Sequence, residues 1–75
     1  MKIVKTFSDQ QGFLVIKVPQ PFNKIRYVID DILVILKRYG DYKIVEFGLA
    51  QQPKDSSCLN FYTDLPYDKY SKNQI

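Results

Sequence analysis

The chain has no histidine and no tryptophan, and only one cysteine, one methionine and three glycines in 75 residues. Each shortage removes a class of chemistry. Without histidine, the commonest general base and the commonest metal ligand are both missing. One cysteine with no histidine supplies no zinc ligand set and no disulfide. Gly12, Gly40 and Gly48 match no phosphate-loop spacing. Ser56, Ser57 and Cys58 lie in or beside a polar stretch with no base to activate them. The adjacent Asp30 and Asp31 diverge by about 100° on a helix and cannot share one substrate. No catalysis, cofactor or metal is therefore expected. Cys58 is expected to act as a small buried hydrophobe at the start of a strand.

The chain also lacks any long apolar run. The longest, Ile32 to Leu36, is five residues, against the roughly 20 that span a bilayer as a helix. No membrane partner is expected. A lone cysteine and an N-terminus that does not read as a signal peptide lead to the expectation of a cytoplasmic location. Internal repeats and low-complexity blocks are absent from the sequence.

What the sequence does have is one strongly periodic stretch, Asn23 to Gly40. At about 100° per residue, Ile25, Val28, Ile29, Ile32, Leu33, Ile35, Leu36 and Tyr39 fall within an arc of roughly 160°. Arg26, Asp30, Asp31, Lys37 and Arg38 lie opposite. Asn23 is placed to cap the start, with Phe22 and Tyr27 at staple spacing. Gly40 sits where a left-handed C′ residue is expected. Tyr27 and Val34 break the pattern: they fall on the polar side, seven residues apart, on one ridge.

The segments around this helix read as strands. Lys2–Phe7 and Phe13–Val18 flank a turn over Ser8–Gly12. Tyr42–Leu49 forms a third strand, with Gly48 suggesting a bulge or frayed edge. Cys58–Thr63 forms a fourth. The order β-β-α-β-β predicts an α+β fold, with one amphipathic helix on one face of a small, mostly antiparallel sheet. One domain is expected over residues 1–63, followed by a poorly ordered tail over 64–75. Strict alternation puts Leu14, Ile16, Val18, Val45, Phe47 and Leu49 under the helix. It leaves Phe13, Val15, Lys17, Tyr42, Ile44 and Glu46 on the other face.

That second face carries Phe13, Val15, Tyr42 and Ile44, more apolar surface than one helix can cover. The tail, through Leu65, Tyr67 and Tyr70, is one candidate cover; a second copy is another. The first functional reading is accordingly a small non-enzymatic protein-interaction module. It would be a homodimer that acts as a regulator, inhibitor or adaptor by binding another protein. Its interface residues would be Phe13, Val15, Tyr42, Ile44, Tyr27 and Val34. With 45% hydrophobic and 15% aromatic residues, a chain of this length has apolar material to spare for association.

The second reading is nucleic-acid binding. The net charge is +3, and residues 1–43 hold eight Lys or Arg against four Asp or Glu. Asn23, Lys24 and Arg26 at a helix N-terminus form a candidate anion site. Lys17 and Lys43 beside aromatic residues on a sheet face resemble the mixture that single-strand binders use.

Overall fold

The computed structural model describes residues 5–19, 24–49 and 58–72. The expected hairpin is its first feature. β1 (Lys5–Ser8) and β2 (Phe13–Pro19) pair antiparallel. Asp9 closes the turn between them: its Oδ1 accepts the N–H of Gln11 and of Phe13, each at 2.9 Å. Gly12 takes φ +94° there, a conformation that needs no Cβ to be accommodated.

Helix α1 (Ile25–Lys37) follows, with Lys24 rather than Asn23 at the N-cap and no side-chain cap bond. Asn23 and Phe22, the expected cap and staple, lie outside the described residues. Val28, Ile32 and Leu36, four apart, form the fully buried stripe. The C-cap is Arg38, so Gly40 comes one residue later than the C′ position expected for it. It still carries a positive φ of +145°, and a Cβ there would sit 3.0 Å from Cε2 of Tyr42.

β3 (Ile44–Leu49) and β4 (Cys58–Pro66) complete a four-stranded antiparallel sheet in the order β1-β2-β4-β3. Since β4 runs opposite to both β2 and β3, those two point the same way. Helix α1 is thus the crossover of a β-α-β unit, with β4 inserted between its two strands. The result is the expected α+β fold. Leu14, Ile16, Val18, Leu59 and Phe61 of the two central strands form the core with Val28, Ile32 and Leu36 of α1.

Two irregularities change what strict alternation assigned. In β2–β4, Phe13 opposes Pro66 but Val15 opposes Tyr62, so Leu14 faces three residues. Thr63 fills this bulge: its Oγ1 donates to the Leu14 carbonyl at 2.9 Å and accepts the Leu65 N–H at 3.3 Å. In β3–β4, one extra residue at Val45 separates the Ile44–Thr63 and Glu46–Tyr62 pairs. That bulge turns Ile44 to the helix side, where it packs on the core with Tyr42. The other face was expected for both. The bulge expected at Gly48 is not there; Gly48 pairs regularly with Asn60.

Residues 64–72 are not a poorly ordered tail. β4 continues to Pro66, and α2 (Tyr67–Lys72) follows it. Leu65 and Tyr70 are buried in the core, and Tyr67 packs against it. The expected cover for the second sheet face therefore lies on the α1 side. Tyr70 meets Tyr39 beyond the end of α1 at a centroid distance of 5.6 Å. No helix among the described residues is long and apolar enough to cross a membrane.

Candidate interaction surface

The structure divides the residues expected at a sheet-face interface. Val15 is fully buried, flanked in register by Phe7 and Tyr62, so it offers nothing to a partner. Phe13 is half-buried. Tyr42 and Ile44 belong to the core of the opposite face. The Tyr42 hydroxyl also accepts a hydrogen bond from Lys69 Nζ at 3.1 Å. Phe13, Val15, Tyr42 and Ile44 thus form no common patch. The remaining two, Tyr27 and Val34, are exposed on the outer face of α1, as their periodicity implied.

The residues expected to hold an anion or nucleic acid are also dispersed. Lys17 is 9% exposed, with its ammonium 5.8 Å from the Phe7 ring centroid. Lys24 lies over Tyr27 at 5.9 Å. Arg26 is exposed on α1 and Lys43 is exposed in the connection just before β3, and Asn23 lies outside the described residues. Among the described residues, no three His, Cys, Asp or Glu side chains gather where they could hold a metal.

A different surface appears along β3. This strand pairs only with β4 and ends the sheet, so among the described residues no second strand meets its outer edge. Phe47 and Leu49 are on the α1 side by register, opposite Phe61 and Leu59. They are nevertheless 48% and 62% exposed, and Val45 is 56% exposed. The physical cause is coverage: α1 sits over the central strands and leaves β3 open. Phe47 stacks on the buried Phe61 at 5.5 Å, which holds its ring in place. Beside it, Ile29 of α1 with Ile44, Val45, Glu46 and Phe47 lines an open, mainly apolar groove of about 350 Å³.

Alternation had assigned Val45, Phe47 and Leu49 to the covered face, and so they were not expected at an interface. The sequence held one signal: IVEFGL has a single charge in six residues and no Lys or Pro, the residues that usually protect a sheet edge. Compared with protein-family models, curated proteins and solved structures, the chain matches none.

Proposed function

We propose that this chain is a small non-enzymatic protein-interaction module that binds through the β3 edge and the adjoining groove. Its role would be that of a regulator, inhibitor or adaptor. The observation that carries this reading is the exposure of Val45, Phe47 and Leu49 together on a strand whose outer edge has no partner among the described residues. Such an edge offers main-chain hydrogen bonds for affinity. The alternating side chains beside it supply specificity. The dispersal of Lys17, Lys24, Arg26 and Lys43 favours this over nucleic-acid binding.

The test is co-purification from cells that express the chain, comparing wild type with a Val45→Lys/Leu49→Lys variant and a Lys24→Ala/Arg26→Ala variant. Both lysines of the first variant fall at exposed positions, so folding, checked by circular dichroism, is preserved. Protein partners, including a differently tagged copy of the chain, should be lost with the first variant and kept with the second. Partners that survive the first variant would remove the β3 edge from consideration. Bound nucleic acid that is lost with the second would favour the basic site instead.

A further inference from the structure

We infer that the partner at the β3 edge is a second copy of this chain, paired antiparallel strand to strand about a two-fold axis at Phe47. This rests on the reading of the β3 edge as the interface, and adds the occupant and the register.

The two ends of the sheet differ in a way that singles out β3. Along its described residues β1 carries the exposed Lys5, and an edge lysine discourages pairing. Along its described residues β3 carries one charge and three exposed apolar side chains. Its bulge, which could also disrupt pairing, lies at the strand's beginning. Glu46 to Leu49 pair regularly with β4, so the backbone there is extended and available.

Self-pairing is decided by where Glu46 lands. Identical antiparallel strands related by a two-fold axis put each residue opposite one fixed partner. An axis at Glu46 sets two like charges directly opposite each other, which is destabilising. An axis between Glu46 and Phe47 would set Glu46 opposite Phe47, residues on opposite faces of the sheet, and a two-fold axis normal to the sheet cannot generate that register. An axis at Gly48 sets the two glycines opposite each other at the centre of the pairing, where neither presents a side chain. An axis at Phe47 avoids these conflicts. Within the regular part of the strand Phe47 opposes its own copy and Glu46 opposes Gly48, which presents no side chain, while Val45, at the bulge, comes beside Leu49. The partner's Leu49 then lies at the groove lined by Ile29, Ile44, Val45 and Phe47. Both α1 helices lie on one face of an eight-stranded sheet.

Gly48 makes the register testable without disturbing the protomer. A Cβ at Gly48 meets no atom within 4 Å, so Gly48→Lys and Gly48→Glu both leave the fold intact. In the pairing about Phe47, Gly48→Lys places a lysine opposite each Glu46, and Gly48→Glu places a glutamate there. Sedimentation equilibrium from micromolar to near-millimolar concentration reads the dimer dissociation constant. Wild type should dimerise. Gly48→Lys should dimerise more tightly than Gly48→Glu by about 2- to 30-fold, from two cross-strand charge pairs. On oxidation in a Cys58→Ser background, Phe47→Cys should form a covalent dimer and Glu46→Cys should not.

A wild type that stays monomeric throughout would overturn the second copy as occupant. The co-purification experiment would then still decide whether the edge binds another protein. A dimer in which the two Gly48 variants shift together, or in which Glu46→Cys is the one that cross-links, would overturn the register.

Discussion

Two buried polar side chains of β4 show how differently the same substitution can act. Thr63 is 2% exposed, and its hydroxyl serves two main-chain groups across the bulge. Thr63→Val keeps the shape and removes both bonds, leaving the Leu14 carbonyl and the Leu65 N–H short of a partner. The expected loss is about 1–3 kcal/mol, read from the urea midpoint at unchanged slope. Asn60 is 8% exposed, and its Oδ1 is buried without a hydrogen-bond partner among the described groups. Asn60→Val removes an acceptor that is already unpaired and adds a β-branched side chain to a central strand. Its stability should be equal to wild type or higher by up to about 1 kcal/mol. Equal losses in the two variants would show that Asn60 is held by a bond the structure does not contain. Neither role can be read from the sequence, because both depend on what lies opposite in the sheet. Thr63 fills its place only because Leu14 faces three residues of β4.

At the scale of elements, the difference between what was legible and what was not lies in periodicity. Helix α1 repeats its apolar pattern for more than three turns, and Val28, Ile32 and Leu36 are buried as the pattern requires. The β1–β2 hairpin was legible for a similar reason: Asp9 and Gly12 at the turn have few other uses. Alternation in β3 failed because one extra residue at Val45 reverses the face of everything before it, and a bulge has no sequence signature of its own here. Residues 64–72 were hidden by Pro66, which reads as a breaker. In the structure it is the last residue of β4 and directly precedes α2. Six residues are too few to show a helical period, and α2 is held instead by its contacts. Tyr70 packs between Tyr39 and Tyr67 at 5.6 and 6.2 Å. The Tyr67 N–H bonds the Gly12 carbonyl at 2.8 Å. Tyr70→Ala should therefore destabilise the whole domain by about 3 kcal/mol, as expected for truncating a buried aromatic. A disposable tail would leave the urea midpoint where it is.

For the molecule as a whole, the open edge is a consequence of the topology. A single crossover helix sits over the two central strands, and β4 enters between β2 and β3, so β3 is pushed outward beyond the helix. Its apolar side chains are then exposed although they lie on the core side of the sheet. The excess of apolar residues in the sequence did announce a sticky surface. Composition could not locate it, because the location follows from strand order. The same arrangement predicts how association responds to salt. Along its described residues β3 holds one charged residue, Glu46, and the paired register sets it opposite glycine, so no ion pair forms between the two strands there. The dimer dissociation constant should be unchanged, or slightly lower, as ionic strength rises, since screening weakens only the mutual repulsion of two +3 protomers. An interface built on Lys24, Arg26 and Lys43 would weaken steeply instead, as phosphate contacts do. Light scattering at low and high salt, with and without a short single-stranded oligonucleotide, separates the two. A mass that stays dimeric in both salts and ignores the oligonucleotide follows from an apolar strand edge. Salt-dependent binding of the oligonucleotide would require that the basic residues, dispersed as they are, be brought together by a surface other than β3.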